Sequence, residues 1–227
     1  MFFKGILRPI YYRIVPKYYA ELAYWKKCYH QDGCSFSNQH YEKLLLAIAK
    51  EKNQDFMRGK VIADFGCGPR GSLSWVKTSQ FNIGIDVLIP QYLKHFQNSM
   101  KDHGMIYLAC SETCIPLPDL SVDIIFSLNA LDHVNQLPDI CNELRRILKP
   151  GGEIIGSFNL YQAPSSAEPQ CLSPEILDRY LLKGFKIKHR LISAIPETGY
   201  LYQPLIDEKP LPLNNSEAIL WLRAEKV

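Results

Sequence analysis

The segment that most constrains the fold spans residues 61–71 and reads V-I-A-D-F-G-C-G-P-R-G. It joins a run typical of a buried strand to a turn with three glycines, Gly66, Gly68 and Gly71, where the backbone can approach a ligand closely. Asp86 ends the next apolar run, N-I-G-I-D, twenty positions after Gly66. In an open parallel sheet, an acidic side chain at the tip of the second strand reaches the hydroxyls of a ribose. The sequence therefore predicts a site for a cofactor that contains a nucleoside.

Two kinds of nucleoside cofactor fit these glycines. Gly66, Gly68 and Gly71 match G-x-G-x-x-G, the dinucleotide pattern in which a helix N-terminus receives a diphosphate. Asp64, however, lies two positions before the first glycine, where its carboxylate would repel a diphosphate. S-adenosylmethionine carries a sulfonium and an ammonium group and no phosphate, so the same carboxylate would attract it. The charge therefore favours S-adenosylmethionine over NAD.

Several blocks resemble, in order, those of class I S-adenosylmethionine-dependent methyltransferases of the type 11 group, from about residue 60 to the C-terminus. They are D-F-G-C-G at 64–68, Asp86, I-P-L-P-D at 115–119 with V-D-I-I-F at 122–126, and L-R-R-I-L-K-P-G-G at 144–152. The resemblance implies contacts with S-adenosylmethionine from Asp64, Gly66, Cys67, Gly68, Asp86, Val87, Ser111, Glu112, Thr113 and Asn129. Where the family often has Gly-Asp-Ala, this chain has C-S-E at 110–112, so the adenine is held either by backbone groups or by Ser111 and Glu112.

Alternating apolar patterns predict an α/β fold. We expect a single-domain, doubly wound, Rossmann-like sheet of seven strands with helices on both faces, and the resemblance implies an antiparallel last strand inserted beside its neighbours. The predicted strands cover residues 60–65, 81–86, 105–109, 122–128, 152–157, 185–191 and 218–224. The predicted helices cover residues 37–52, 72–79, 90–103, 138–148 and 174–182, with Ser37 or Asn38 as the cap of the first.

The composition is that of a soluble enzyme. The 227 residues are 47% hydrophobic, as expected of a chain that buries one core. No apolar run approaches the roughly 20 residues that span a bilayer, and the N-terminus lacks the apolar stretch of a secretory signal. Seven cysteines without a C-x-x-C pair indicate reduced thiols and no metal site. A cytoplasmic location is therefore expected.

Residues 1–36 are expected to form a basic, aromatic segment in front of a methyltransferase domain over residues 37–227. Residues 1–27 contain six basic side chains and one acidic side chain, although the whole chain has a net charge of only +3. Their aromatic side chains suit peripheral contact with the inner face of an anionic membrane, or a cap that packs on the domain and closes over the cofactor. We favour the cap, because aromatic residues usually pack in cores and lids. Nucleic acid is not expected as a partner, because the basic surplus does not continue into the domain.

The acceptor is expected at the carboxyl ends of the strands, beside two long loops over residues 159–173 and 196–216. Asp132 and His133 follow the fourth strand, and both are expected to enter the cleft. His133 is a candidate general base, and the alternative is that either residue caps the following turn or orients the substrate. Proximity to the reactive methyl group would by itself supply much of the rate.

The sequence therefore predicts methyl transfer to a hydroxyl or an amine of a small-molecule or glycan-like acceptor, by a monomer or a homodimer. The stretches at 66–75 and 129–134 are similar to bacterial enzymes associated with surface polysaccharide synthesis. Two alternatives stay open at this point. One is an NAD-dependent oxidoreductase that uses the same glycines, and the other is a module that binds the cofactor without catalysis.

Overall fold

The computed structural model of the chain describes residues 17–213 and 217–227. Its sheet has seven strands in the order β3-β2-β1-β4-β5-β7-β6. The strands are β1 (Val61–Phe65), β2 (Phe81–Asp86), β3 (Ile106–Ala109), β4 (Val122–Leu128), β5 (Leu148–Leu160), β6 (Phe185–Ala194) and β7 (Ala218–Lys226). The five neighbouring strands β3, β2, β1, β4 and β5 pair in parallel, and β7 lies antiparallel between β5 and β6. The predicted seven-stranded sheet with an inserted antiparallel last strand is confirmed.

Helices cover both faces of the sheet, as predicted. They are α1 (Lys17–Gln31), α2 (His40–Ala49), α3 (Ile89–Met100), α4 (Leu137–Ile147), α5 (Pro174–Tyr180) and the short α6 (Gln203–Ile206). Consecutive residues of a strand point to opposite faces, and β4 shows this at Ile124 and Ile125. Ile125 packs in one buried cluster with Ile140 of α4, whereas Ile124 packs in a second cluster with Leu45 of α2. The two clusters form the core on either side of the sheet.

The predicted first crossover helix over residues 72–79 is wrong. The segment forms a series of turns, and its carbonyl groups are bonded by side chains instead of by a helical ladder. Asn82 Nδ2 donates to the carbonyl oxygens of Val76, at 2.9 Å, and Leu73, at 3.3 Å. Trp75 Nε1 donates to the carbonyl oxygen of Ser72 at 3.0 Å. These bonds compete with the helix in a segment rich in Ser and Thr, while Leu73 and Val76 still fill the core.

The predicted cap of the helix over residues 37–52, which corresponds to α2, is also wrong. Helix α2 begins after Gln39, which already has helical backbone angles, and in the described part of the chain no side chain caps it. Asn38 instead donates from Nδ2 to Ser74 Oγ at 2.9 Å. This bond ties the start of α2 to the turns after the glycine segment.

Candidate active site

A cavity of about 160 Å³ lies at the C-terminal ends of β1, β2 and β4. Parallel sheets bind ligands at this edge, beyond the carboxyl ends of their strands. The cavity brings together six of the residues predicted to contact the cofactor, which are Gly66, Asp86, Val87, Ser111, Glu112 and Asn129. The end of each of the three strands thus contributes to one site.

Two backbone N–H groups fix the Asp86 carboxylate at the end of β2. Leu88 N donates to Oδ1 at 2.8 Å, and Gly68 N donates to Oδ2 at 3.1 Å. Burial raises the pKa of Asp86 to about 6, and the two hydrogen bonds oppose that rise. A carboxylate oxygen accepts more than one hydrogen bond, so Asp86 keeps lone pairs for further donors. This geometry fits a ribose whose hydroxyls donate to Asp86.

The structure places Asp64 beneath the glycine turn and not on the cavity wall. Asp64 is 3% exposed, and Ser72 Oγ donates to its Oδ2. Its Oδ1 has no hydrogen-bond partner among the described residues. Direct contact between Asp64 and the cofactor therefore stays a prediction, and the carboxylates that line the cavity come from other positions.

The burial of Asp64 predicts that the ligand-free protein loses stability as the pH rises toward neutrality. Burial, as the largest cause, raises the pKa of Asp64 from 3.8 to about 7. Between these values the folded protein keeps a proton that the unfolded chain releases, so the free energy of unfolding falls as the pH rises from about 4 to about 7. Denaturant unfolding at several pH values measures this fall. Asp64→Asn should make it shallower, and an equally steep fall in this variant would contradict the assignment.

Helix α1 forms a further wall of the cavity. Lys17, Tyr18, Glu21 and Trp25 line the cavity, and their spacing puts them on one side of the helix. The Trp25 ring packs on the glycine turn, because a Cβ atom on Gly68 would lie 2.6 Å from Trp25 Cζ2. For residues 17–31, this arrangement is the one that the cap interpretation expects.

The Glu112 side chain joins three segments around the cavity. Lys17 Nζ of α1 lies 2.9 Å from Glu112 Oε1, and the Tyr18 hydroxyl donates to the same oxygen. Asn135 N, on the loop after β4, donates to Glu112 Oε2 at 2.8 Å. Hydrogen bonds from these groups hold the pKa of Glu112 below its ordinary value, although burial acts in the opposite direction as the largest single effect. Oε1 thus holds α1 to the domain, and Oε2 holds the segment after β3 to the loop after β4.

His133 lines the cavity from the loop after β4. Its Nε2 lies 3.9 Å from Glu168 Oε1, on the loop after β5. Asp132 does not line the cavity: it is 1% exposed, and its Oδ2 accepts a hydrogen bond from Asn159 at 3.2 Å. The expectation that both residues enter the cleft is therefore wrong for Asp132, because the 3-10 turn over Leu131–His133 directs the two neighbouring side chains apart.

Asn129 connects the end of β4 to the second long loop. Its backbone N donates to the carbonyl oxygen of Ser157 at 2.8 Å, and its Nδ2 donates to the Tyr202 hydroxyl at 2.7 Å. Glu168 on the loop at 159–173 and Tyr202 on the loop at 196–216 thus approach the same strand end. Both loops reach the edge of the sheet at which the acceptor was expected.

Besides Asp64, three predicted cofactor contacts lie away from the cavity wall. Cys67 is buried under the turn, where burial raises the pKa of its thiol, Gly68 lies under Trp25, and Thr113 is exposed. Sequence reasoning missed Tyr92 of α3 and the side chains of α1 that line the cavity. The alternating basic and aromatic residues of α1 indicated a cap, but no pattern in the sequence specified where that cap would dock.

The sequence matches a known family over residues 63–156, and the description of that family is "Methyltransferase domain". An uncharacterised methyltransferase of Mycobacteroides abscessus is 31% identical over 111 residues, which cover 48% of this chain and 43% of that protein. The chain therefore carries a methyltransferase domain. It spans about half the length, or less, of the curated relatives that it matches first.

Solved methyltransferase structures share the fold. An S-adenosylmethionine-dependent methyltransferase from Mesorhizobium loti has a TM-score of 0.58 and 19% identity, with 79% of this chain and 96% of that chain covered. Geranyl diphosphate C-methyltransferase from Streptomyces coelicolor, in complex with Mg²⁺, geranyl diphosphate and S-adenosyl-L-homocysteine, has a TM-score of 0.58 and 15% identity. The matched region covers 82% of this chain and 78% of that chain. At these identities the likeness shows a common fold.

The residues of this methyltransferase cavity fit S-adenosylmethionine as the cofactor. Glu21, Asp86 and Glu112 line the cavity, and Lys17 is the only Lys or Arg among its described lining residues. A surplus of carboxylates attracts the cationic cofactor and repels the diphosphate of NAD. Asp86 fits the ribose, and neighbouring apolar residues such as Leu88 suit the adenine ring.

Within residues 17–213 and 217–227, no helix combines the length and the apolar character needed to cross a membrane. In the same part of the chain, no group of three or more His, Cys, Asp or Glu side chains could hold a metal ion. Contact of residues 1–27 with a membrane surface stays a prediction, and residues 1–16 lie outside the described part of the chain.

Proposed function

We propose that this methyltransferase transfers the methyl group of S-adenosylmethionine to a hydroxyl or an amine of a small-molecule or glycan-like acceptor. The observation that supports this most is the position of His133, which lines the same cavity as the cofactor residues, with Glu168 3.9 Å from its Nε2. An attacking hydroxyl or amine loses a proton during transfer, and an imidazole can accept it. The carboxylate of Glu168 would orient the imidazole and stabilise the charge that forms on it.

The proposed step is an in-line displacement. When bound, S-adenosylmethionine would supply a methyl group on a sulfonium, and the electron pair of the bond between sulfur and methyl carbon would return to sulfur. The acceptor oxygen or nitrogen would form the new bond to carbon, and His133 would take the acceptor proton at Nδ1, because Glu168 lies beside Nε2. The loops at 159–173 and 196–216 would hold the acceptor in line, and such positioning supplies a large part of the rate in reactions of this kind.

A glycan-like acceptor is supported by exposed aromatic rings on both loops. Tyr161 is 44% exposed and Tyr200 is 48% exposed. Exposed rings offer a flat apolar surface with a polar tip, on which the apolar face of a sugar ring can pack. The similarity of the stretches at 66–75 and 129–134 to bacterial enzymes of surface polysaccharide synthesis agrees with this acceptor class.

A single-turnover assay tests the proposal. The full chain is mixed with S-adenosylmethionine labelled on its methyl group and with cell extract, and the labelled product is identified by mass spectrometry. We expect label on an oxygen or a nitrogen of a small molecule or glycan. Binding of S-adenosylhomocysteine without any labelled product would favour a non-catalytic module. Binding of NAD alone would favour the oxidoreductase.

His133→Gln should lower the rate of methyl transfer by about 100-fold or more, since a positioned general base contributes roughly 10²- to 10⁴-fold. The affinity for S-adenosylhomocysteine should stay within about threefold of wild type, because the variant removes a proton acceptor and leaves the charged side chains of the cofactor site in place. Rapid-quench kinetics and calorimetry measure the two quantities. His95→Gln, at an exposed position on α3, is the matched control. Equal rates in both variants would remove His133 from the mechanism.

A further inference from the structure

Helix α1 contributes a carboxylate to the cavity at Glu21. Glu21 lies one helical turn after Tyr18, which binds Glu112, and one turn before Trp25, which packs on Gly68. It is therefore held between the two points at which α1 contacts the domain beside the cavity. The position of Glu21 along the wall is set by both contacts.

The orientation of the Glu21 side chain is set within α1. Trp25 Nε1 donates to Glu21 Oε1 at 2.8 Å. Among the described residues, no hydrogen bond reaches Glu21 Oε2. The carboxylate also acts on Asp86 at the end of β2, where its negative charge contributes to the raised pKa of that group. One oxygen of Glu21 is thus fixed, and the other is available beside Asp86.

Among the described residues, no basic side chain forms an ion pair with Glu21. Lys17 is paired with Glu112 at 2.9 Å, so these two charges offset each other. Asp86 is held by two backbone N–H groups in the position that suits a ribose. Of the three carboxylates on the wall, Glu21 therefore has a negative charge that neither an ion pair nor the ribose accounts for. This charge suits a cation beside the ribose.

We propose that Glu21 binds the positively charged methionine part of S-adenosylmethionine, so that α1 supplies a residue of the cofactor site. Glu21 takes the role that the sequence suggested for Asp64, which is buried under the turn and bonded to Ser72. The inference rests on the proposed function only in that S-adenosylmethionine is the cofactor. The acceptor does not enter it.

Glu21→Gln tests the inference, because the amide oxygen can still accept the hydrogen bond from Trp25 while the charge is removed. Calorimetry is done with S-adenosylmethionine, with S-adenosylhomocysteine and with methylthioadenosine, which lacks both cationic groups. We expect about a 10- to 100-fold loss of affinity for S-adenosylmethionine, the range for a hydrogen bond to a charged group. The affinity for methylthioadenosine should change less than about twofold.

The comparison of ligands separates the outcomes. A larger loss for S-adenosylmethionine than for S-adenosylhomocysteine places Glu21 at the sulfonium, and an equal loss places it at the ammonium group. Both results support the inference. An equal loss for methylthioadenosine, or no loss for S-adenosylmethionine, overturns it.

Two controls complete the design. Glu42→Gln removes an exposed carboxylate of α2 away from the cavity and should leave all three affinities unchanged. Thermal unfolding of the ligand-free Glu21→Gln protein should match wild type, which shows that α1 still docks. If wild type binds neither S-adenosylmethionine nor S-adenosylhomocysteine, the proposed function itself fails. That result is distinct from a wild type that binds and a variant that is unchanged.

Discussion

Asp86→Ala should lower the affinity for S-adenosylhomocysteine by about 100-fold or more. We expect the carboxylate to accept hydrogen bonds from two ribose hydroxyls, and a bond to a charged group contributes about 1.5–3 kcal/mol. The same substitution frees the N–H groups of Gly68 and Leu88, which now donate to Asp86 at 3.1 Å and 2.8 Å. The cofactor would then meet a turn that is no longer fixed. Titration calorimetry on the folded variant measures the loss.

Asp102→Ala is the control for this prediction. Asp102 is an exposed carboxylate in the 3-10 turn after α3, and it does not line the cavity. Its replacement should leave the affinity for S-adenosylhomocysteine within about twofold of wild type. If Asp86→Ala behaved in the same way, the ribose would have to bind elsewhere.

Gly66→Ala should lower the free energy of unfolding by about 3 kcal/mol and abolish cofactor binding. The backbone at Gly66 has φ of +73°, a region in which an L-residue costs about 1–2 kcal/mol. An added Cβ atom would lie 2.2 Å from Cβ of Ala130, and overpacking of this kind costs about 1–3 kcal/mol. The turn and the end of β4 would move apart to relieve the contact. Denaturant unfolding followed by circular dichroism measures the loss of stability.

Gly104→Ala separates the two causes. Gly104 has a similar φ of +64°, but an added Cβ atom would meet no atom of the described residues within 4 Å. The free energy of unfolding of this variant should therefore fall only by the cost of the backbone conformation, about 1–2 kcal/mol, and the variant should still bind the cofactor. The difference between the two variants measures the close approach of the turn to Ala130. Equal losses of stability would show that the contact between the turn and Ala130 contributes nothing to the loss in Gly66→Ala.

The fold and the sheet-edge part of the site could be predicted, because both follow from local patterns. The run at 61–65 becomes β1, which pairs in parallel with β2 and β4. The parallel strands bring Gly66, Asp86 and Asn129 to one edge of the sheet. The chain between residues 72 and 79 was mispredicted because its conformation depends on Asn82, whose side chain bonds the carbonyl groups that a helix would use. Such a contact has no signature in the segment itself.

The contribution of α1 could not be predicted for a related reason. Trp25 and Gly68 are far apart in the sequence, and only the folded chain shows that the indole ring lies on the turn. Likewise, the position of Asp64 in the glycine segment did not reveal that its side chain points to Ser72 and away from the cavity. The carboxylates that line the cavity and favour a cationic cofactor are those of Glu21, Asp86 and Glu112.

The charges of this cavity lead us to expect that it binds a cationic nucleoside cofactor and not a dinucleotide. Titration calorimetry of the full chain with S-adenosylmethionine, S-adenosylhomocysteine and NAD distinguishes the two. We expect saturable binding of the first two ligands with one site per chain, and no heat with NAD. Saturable binding of NAD, with no response to either adenosyl ligand, would contradict the cofactor assignment and the proposed methyl transfer together.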